Sequence, residues 1–270
     1  MAMRTTISGG RAQPGPPPEK MPGHWLLAKM GKRVLRPGGI ELTRRLLEEL
    51  NIGPTDDVVE FAPGLGVTAQ LTLARQPASY TAIERDDNAA ATVRSYVHGP
   101  HRRCIVGDAA GTGLDSESAT VVYGEAMLSM QLPQMKSQIV QEAHRLLRSG
   151  GRYGIHELCL IPDDLAEETR NAIAHDLSAE IHVGVRPLTV AEWRRLLESE
   201  GFLVQSAASS PMHLLEPWRI VKDEGLGGAL RFFWNVAWQP TGRRRVLAMR
   251  QIFRKWKDHL AAIVLVGRKL

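Results

Sequence analysis

The chain has 270 residues, of which 43% are apolar and 23% are charged. This length fits one large domain or two small ones, and the composition excludes a wholly disordered, collagen-like or coiled-coil protein. No uncharged apolar run approaches the roughly 18 to 20 residues that a membrane-spanning helix needs. The N-terminus has no apolar segment typical of a secretory signal peptide, so we expect a cytoplasmic protein.

The cysteines and the charge pattern indicate the compartment of the protein and its possible partners. Cys104 and Cys159 both lie in apolar, strand-like runs, which favours buried thiols in a reducing compartment. No spacing of Cys and His resembles a zinc site, so we expect no metal. Lys and Arg exceed Asp and Glu over residues 1–50 and 214–258, and the rest of the chain is acidic. Such basic ends can attract an anionic substrate, a membrane or a nucleic acid, or they can be solvated helix faces.

Regular structure is predicted from the N-terminal helices onward. Residues 1–22 are rich in Gly and Pro, which predicts a disordered tail. Helical patterns follow at about 24–35 and 40–50, separated by a Pro-Gly-Gly break at 37–39. From Asp57 onward short apolar strands alternate with helices, which predicts a parallel sheet with helices on both faces. The predicted strands are 57–61, 79–84, 103–106, 119–123, 152–158 and 202–208, and the helices between them are 66–75, 86–97, 133–148 and 188–200.

Residues 214–258 interrupt this alternation with two or three predicted helices that hold most of the Trp and Phe residues. Three interpretations stay open for this insertion. It can be a helical pair that simply packs on the body. It can be a lid over an apolar ligand, lined by Phe232, Phe233 or Trp234, or a basic amphipathic surface that docks on a membrane. The apolar run at 260–266 then predicts a buried final strand.

A glycine-rich turn follows the first predicted strand, in the sequence EFAPGLG at residues 60–66. Glycines such as Gly64 and Gly66 let a ligand approach the backbone, and the N-terminus of the next helix offers unpaired N–H groups. The third glycine of a dinucleotide fingerprint and the Gly-Lys-Ser/Thr of a phosphate-binding loop are both missing. For this turn taken alone, a tight structural connection without a ligand stays an alternative.

Acidic residues stand at the ends of four successive strands. Glu60 ends the first, Glu84 the second, Asp108 the third and Glu125 the fourth. The carboxyl ends of parallel strands meet at one edge of a sheet, where ligands bind in open α/β proteins. Glu84 stands where an acid can accept hydrogen bonds from two ribose hydroxyls, and Asp108 where one can accept a bond from an adenine amine. Each acid alone is more often a surface residue, but four in register favour a shared ligand site.

With these residues in place, the chain resembles the class I S-adenosylmethionine-dependent methyltransferases over about residues 40–210 and its last strand. Residues 60–66 are similar to the family's first motif, acidic-x-Gly-x-Gly-x-Gly, with Ala62 at the first glycine; a negative φ at Ala62 would leave the turn intact. Residues 146–152 are similar to the family's helix end before strand five. The resemblance implies a Rossmann-like α/β fold. Its sheet would have seven strands in the order 3-2-1-4-5-7-6, the last antiparallel, within one domain over 23–270.

The resemblance also implies a role for each residue of the expected cofactor site. Glu60 would lie near the methionine amino group, and Ala62, Gly64 and Gly66 would lie beside the cofactor. Glu84 with Arg85 would contact the ribose, and Asp108 with Ala109 would contact the adenine. Glu125 would lie at the sulfonium side or at the acceptor. The small-molecule branch with the quinone and sterol methyltransferases looks most similar. It implies methyl transfer from S-adenosylmethionine to a small lipophilic or aromatic acceptor, with S-adenosylhomocysteine as product.

An oxygen or carbon acceptor also needs a base. The candidates are His156 and Glu157, near the end of the fifth strand, and Glu125. Alternation along a strand lets only one of His156 and Glu157 face the cleft. His24 and Trp25, at the start of the first helix, are candidates to close over the cofactor and contact the acceptor.

Two other functions stay open. A nucleic-acid methyltransferase would use the basic ends of the chain, although no RNA-binding module is visible, which makes nucleic acid the less favoured partner. A non-catalytic cofactor-binding protein of the same fold is the second alternative, since a fold does not fix a function.

Overall fold

The computed structural model of the protein describes residues 17–270. The helices are α1 (Gly23–Lys29), α2 (Gly39–Leu50), α3 (Val67–Leu73), α4 (Asp87–Arg94), α5 (Pro133–Leu146), α6 (Glu167–Ile181), α7 (Val190–Ser199), α8 (Pro217–Trp238) and α9 (Pro240–Lys255), with a 3₁₀ turn over Leu128–Met130. The strands are β1 (Asp57–Phe61), β2 (Ser79–Glu84), β3 (Arg102–Val106), β4 (Ala119–Glu125), β5 (Leu147–Leu160), β6 (Leu188–Thr189), β7 (Phe202–Pro211) and β8 (Leu260–Lys269). From β1 to β7 strands and helices thus largely alternate, as the apolar runs predict, except that β3 leads into β4 without a helix.

The strands of this range form one sheet in the order β3-β2-β1-β4-β5-β8-β7, and the two-residue β6 pairs with β5 off that path. β1 to β5 are parallel, and β8 is antiparallel to both β5 and β7. Apart from the short β6, this is the predicted order with its antiparallel last strand, and the fold prediction is confirmed. The strand order reverses between β1 and β4, so their carboxyl ends form the crevice in which open α/β sheets bind ligands.

Helices cover both faces of the sheet because its central strands are apolar on both sides. Along β8, Ile263 and Leu265 pack on one face with Trp193 of α7. Val264 packs on the other face with Leu46 of α2. The alternation along one strand therefore builds two cores, and the sheet between them is rigid enough to hold the residues at its edge.

A third apolar cluster joins α1, α6, α8 and α9 beyond the carboxyl ends of the strands, and we call these four helices the cap. Leu26 of α1, Ile173 of α6 and Phe232 of α8 meet in this cluster. A buried ion pair ties the start of the chain to α8, with Lys32 Nζ 3.2 Å from a carboxylate oxygen of Asp223. The cap is thus assembled from segments that lie far apart in the sequence.

The predicted tail is only partly described. Residues 1–16 lie outside the described range. Residues 17–22, which the sequence assigned to the same disordered tail, pack against α9: Arg245 Nη1 donates to the carbonyl oxygen of Pro18 at 2.8 Å, and Met21 is buried. Residues 17–22 thus differ in the structure from the predicted disordered tail, because the Arg245 guanidinium donates to the carbonyl oxygens of Pro18 and Met21.

The helices also differ from the prediction at two places. The first helix ends at Lys29 instead of residue 35. Helix α6 was not predicted, because only Ile173 and Leu177 of its residues are buried and no continuous apolar face marks it. The insertion has the two or three helices that the sequence predicts, because Gly225, with φ 72° and ψ 171°, breaks α8 into two helical parts ahead of α9. None of the helices in residues 17–270 is long and apolar enough to cross a membrane.

Candidate active site

A cavity of about 670 Å³ opens at the carboxyl ends of β1 to β4, a volume in the range typical of small-molecule sites. One side of its wall is formed by the turns after the strands and carries the polar side chains. The other side is apolar and is formed by cap helices α1, α6 and α9, the end of β5, and the segments after α6 and β7. The polar side contains Ala62, Gly64, Gly66, Glu84, Arg85, Asp86, Asp108 and Glu125. The apolar side contains Leu27, Leu158, Ile181, Val183, Val185, Met212, Leu214, Met249 and Phe253.

The turn after β1 is built from left-handed residues. Gly64 has φ 57°, and a Cβ built there would meet no atom within 4 Å, so the absence of a side chain leaves the wall open. Gly66 has φ 71°, and a Cβ there would fall 1.1 Å from the hydroxyl oxygen of Tyr96, so packing requires this glycine. Ala62 has φ 51°, which corrects the expectation of a negative φ at that position. The turn keeps the shape of the glycine motif although one glycine is replaced.

The acids after β2 and β3 are fixed to the backbone. Glu84 is buried, and its Oε2 accepts from the Gly64 amide at 3.0 Å while Oε1 accepts from the Asp86 amide at 2.9 Å. Asp108 is exposed and accepts from the Ala110 amide at 2.8 Å. Both carboxylates lie on the cavity wall, together with the exposed Arg85 and with Ala109. The structure therefore brings the predicted ribose and adenine residues together at one end of the cavity.

Glu60 does not reach the cavity wall. It is buried on the other face of the sheet, where its Oε2 accepts hydrogen bonds from the hydroxyls of Tyr80, at 2.5 Å, and Tyr123, at 2.6 Å. Burial raises the pKa of Glu60 to about 7, although both tyrosine hydroxyls lower it. The predicted contact with the methionine amino group is wrong for this geometry, because alternation along β1 directs Glu60 into the core.

Glu125 lies on the wall, but its acceptor positions are filled. Oε1 accepts from the hydroxyl of Thr43 and from His156 Nδ1, each at 2.7 Å, and Oε2 accepts from Arg36 Nη1 at 2.8 Å and from the hydroxyl of Thr68. Burial alone would raise the pKa of Glu125, but Arg36 and His156 outweigh it and lower the pKa to about 2. Glu125 is therefore an ionised anchor and cannot act as the predicted base.

His156 and Glu157 also fail as bases, and alternation places them on opposite sides of β5. His156 is fully buried, and its Nε2 faces the carbonyl oxygen of Pro37 at 2.6 Å while Nδ1 faces Glu125. Glu157 borders the cavity, but its oxygens accept from three backbone amides, Met127 to Ser129, and from the Ser129 hydroxyl. Both side chains fix the ends of strands, and neither has a free position for an acceptor's proton.

Arg36 is the residue that the sequence did not single out. Its Nη1 pairs with Glu125, whereas its Nε and Nη2 are buried and have no hydrogen-bond partner in the part of the chain that the structure describes. The side chain lies on the cavity wall. Buried donors without partners are costly and point to a missing acceptor. No spacing could have revealed this residue, because it lies 89 residues from Glu125.

The apolar end of the cavity uses α1 and α9. His24 and Trp25 lie on the wall as predicted, with ring centroids 5.0 Å apart. His24 Nδ1 is buried without a partner among the described residues. Burial lowers the pKa of His24, partly offset by the charge of Asp86. The imidazole ring of His24 therefore favours its neutral form.

The insertion contributes to the wall through a different helix from the one predicted. Phe232 is buried inside the cap, and Phe233 and Trp234 are exposed, so none of the three lines the cavity. Met249 and Phe253 of α9 do line it. The predicted lid residues are wrong, because α8 turns one face into the cap and the other to solvent.

The chain is similar to known proteins in its sequence and in its fold. Residues 59–155 match the family model described as "Methyltransferase domain". An uncharacterized protein of Haemophilus influenzae is 29% identical over 252 residues, which cover 92% of this chain and 98% of the relative. The crystal structure of the MccD protein has a TM-score of 0.68 at 17% identity and covers 87% of this chain and 99% of its own.

A third similar protein is the geranyl diphosphate C-methyltransferase of Streptomyces coelicolor, with a TM-score of 0.62 at 15% identity, over 86% of this chain and 79% of its own. At these identities the solved structures show the fold. Together with the glycine turn and the acids around the cavity, the family match identifies residues 59–155 as a methyltransferase domain, within a chain that has the class I methyltransferase fold.

Proposed function

We propose that the protein transfers a methyl group from S-adenosylmethionine to a small lipophilic or aromatic acceptor. The observation that carries this proposal is the division of one cavity into a polar end at the strand ends and an apolar end under the cap. When bound, S-adenosylmethionine supplies an electrophilic methyl group on a positively charged sulfur. The same fold serves a geranyl diphosphate C-methyltransferase, so the fold is compatible with a lipophilic acceptor.

The polar end fits the groups of this cofactor. The open surface at Gly64 leaves room for a ligand against the backbone. Glu84 has further lone pairs for ribose hydroxyls, and the exposed Asp108 can accept from the adenine amine. The unpaired Nε and Nη2 of Arg36 share one edge of the guanidinium, which matches the two oxygens of the methionine carboxylate.

The chain's own residues contribute mainly position and exclusion of water. Arg36 would hold the methionine carboxylate and Glu84 the ribose, so the two residues together would position the cofactor in the cavity. Met249, Phe253 and the α1 residues close that end, where a lipophilic acceptor loses its contact with water. For a hydroxyl acceptor, the neutral His24 would take the proton.

A binding experiment with two ligands tests the cofactor assignment. S-Adenosylhomocysteine carries the amino-acid carboxylate, and 5′-methylthioadenosine lacks it but keeps the ribose and adenine. Charge-assisted hydrogen bonds contribute roughly 1.5–3 kcal/mol each. Calorimetry should therefore show that Arg36→Met weakens S-adenosylhomocysteine by at least tenfold and methylthioadenosine by less than twofold. Glu84→Ala should weaken both ligands by at least tenfold.

Glu48→Ala is the matched control, because Glu48 is an exposed carboxylate on α2 away from the cavity wall. It should bind both ligands like the unchanged protein. A folded Arg36→Met variant with unaltered S-adenosylhomocysteine affinity would overturn the role of Arg36. Absence of binding by the unchanged protein would overturn the function itself.

The acceptor class needs a separate measurement. Turnover of S-adenosylmethionine should appear with members of a panel of lipophilic phenols and quinols, and not with RNA or DNA fragments. Methylation of a nucleic acid, with no turnover of any small acceptor, would refute this half of the proposal.

A further inference from the structure

The second part of α8, after Gly225, exposes a row of large apolar side chains that we call the α8 ridge. It consists of Leu226, Leu230, Phe233, Trp234 and Trp238, which are between 38% and 75% exposed. Their spacing places them on one side of the helix. An exposed apolar surface of this kind is unusual on a soluble monomer and marks an interaction site.

The packing of the opposite side of α8 holds the ridge toward solvent. The opposite side of the same helix buries Ala229 and Phe232 in the cap. Asn235 Nδ2 donates to the carbonyl oxygen of Met30 at 2.9 Å and fixes the helix against the end of α1. The rotation of α8 about its axis is therefore set from the buried side, and the ridge is held outward.

The sequence that forms the ridge and continues into α9 carries charge of one sign. From Gly225 to Lys257 the sequence contains no Asp or Glu. Arg231 follows Leu230 directly, and Arg243 and Arg244 stand exposed at the start of α9, with no acidic partner among residues 17–270. Three other cations of α9 are neutralised, since Arg250 and Arg254 pair with Glu216 and Lys255 pairs with Asp176, and the buried Arg245 donates to backbone carbonyls.

We propose that the α8 ridge docks the protein on an anionic phospholipid membrane. The apolar side chains would enter the interfacial region, where the amphipathic rings of Trp234 and Trp238 are stable. Arg231, Arg243 and Arg244 would meet the lipid phosphates. A second copy of the chain is the less favourable occupant, because a two-fold contact would bring two acid-free, basic surfaces together.

The ridge lies on the same cap that closes the cavity. Phe232, on the inner side of α8, belongs to the same buried cluster as Met249 and Phe253 of the cavity wall. Docking would thus bring the cap to the membrane, where a lipophilic acceptor concentrates. The link to an acceptor rests on the proposed function, but the docking itself does not.

Flotation of the full chain with vesicles tests the proposal. Vesicles of phosphatidylcholine with phosphatidylglycerol should bind the protein, and vesicles of phosphatidylcholine alone should bind it at least tenfold more weakly. The double change Trp234→Ser, Trp238→Ser and the double change Arg243→Glu, Arg244→Glu should each weaken binding to the mixed vesicles by at least tenfold.

Matched controls lie elsewhere on the surface. Arg44→Glu, Arg45→Glu changes two adjacent exposed arginines on α2, and Leu203→Ser changes an exposed apolar residue of β7. Both controls should bind vesicles within twofold of the unchanged protein. The affinity for S-adenosylhomocysteine, measured on every variant, should stay unaltered. This measurement distinguishes a variant that has lost only membrane binding from a protein that does not bind the proposed cofactor.

Two results would overturn the proposal. One is that the unchanged protein binds neither type of vesicle. The other is a concentration-dependent dimer, seen by sedimentation, that Trp234→Ser, Trp238→Ser dissociates while vesicle binding stays the same. That result would assign the α8 ridge to a second copy of the chain.

Discussion

Ala62 holds a left-handed conformation at the first position of the glycine turn, with φ 51°. This conformation costs a residue with a Cβ about 1–2 kcal/mol and costs glycine little. We predict that Ala62→Gly increases the free energy of unfolding by about 1 kcal/mol, measured by urea denaturation. Ala69→Gly in the right-handed helix α3 is the control and should decrease it by a similar amount. Equal destabilisation by both changes would contradict the strain at Ala62.

Glu60 makes stability depend on pH. Its carboxyl group releases its proton near pH 4.5 in the unfolded chain, whereas burial raises its pKa to about 7 in the folded protein. Between these values the folded state binds more protons, so this group lowers stability as pH rises from about 4.5 to 7, and the loss remains above pH 7. For a shift of this size the loss is on the order of 3 kcal/mol.

The change Glu60→Gln tests this dependence because glutamine does not ionise. In the unchanged protein, ionisation of Glu60 lowers the free energy of unfolding at pH 8 relative to pH 5. Glu60→Gln should not show this loss. Its free energy of unfolding at pH 8, taken relative to pH 5, should therefore be about 2–3 kcal/mol higher than that of the unchanged protein. Urea denaturation at both pH values measures it, with Glu48→Gln as an exposed control. An unaltered pH dependence in Glu60→Gln would show that Glu60 ionises normally.

On the scale of the elements, the segment between α1 and α2 brings several groups to the site. It delivers Arg36 and the carbonyl oxygen of Pro37 to the end of the sheet, and the first turns of α2 add Thr43. These groups meet Glu125 and His156, so an N-terminal segment completes the crevice between β1 and β4. Burial of the resulting ion pair holds the guanidinium in place and leaves one of its edges for a ligand.

Helix α9 forms the apolar wall that was expected from α8. Burying one aromatic side chain against an acceptor contributes roughly 1.5–3 kcal/mol. We predict that Phe253→Ala raises the KM for a soluble lipophilic acceptor more than tenfold and leaves the affinity for S-adenosylhomocysteine nearly unchanged. Phe233→Ala is the matched control, because Phe233 does not line the cavity. It should leave the KM unchanged.

The outcome for Phe253 distinguishes a binding role from a structural one. Phe253 also packs in the buried cluster of the cap. If Phe253→Ala lowers thermal stability and weakens both ligands together, the residue supports the cap and does not contact the acceptor. The milder Phe253→Leu keeps most of the apolar volume and should then restore both affinities.

On the scale of the whole molecule, the turns after the strands supply the polar half of the cavity, and cap helices together with neighbouring segments supply the apolar half. The methyltransferase domain over residues 59–155 contains the strand ends and their acids. The cap unites α1 with α6, α8 and α9, which lie far apart in the sequence. The cavity between the two halves is therefore lined by residues from α1 near one end of the described chain and from α9 near the other.

The sequence by itself determined the sheet, the glycine turn and the place of the acids Glu84, Asp108 and Glu125 at the cavity. The strand order followed from the resemblance to the family. These features depend on short-range patterns: alternation within a strand, glycine in a turn, and the rule that parallel strands end at the same edge. The position of a residue at a strand end therefore predicts its place even without knowledge of the packing.

The tertiary structure alone decided which side chains face the cavity and which of them are free. Glu60 turns into the core because the hydroxyls of Tyr80 and Tyr123 lie on that face of the sheet. Arg36 pairs with a carboxylate 89 residues away, and no local pattern records such a contact. Phe253 rather than Phe232 reaches the cavity because helix packing fixes the rotation of α8 and α9 about their axes. The composition of the segment shows only that aromatic residues are present, and not which of them faces the cavity.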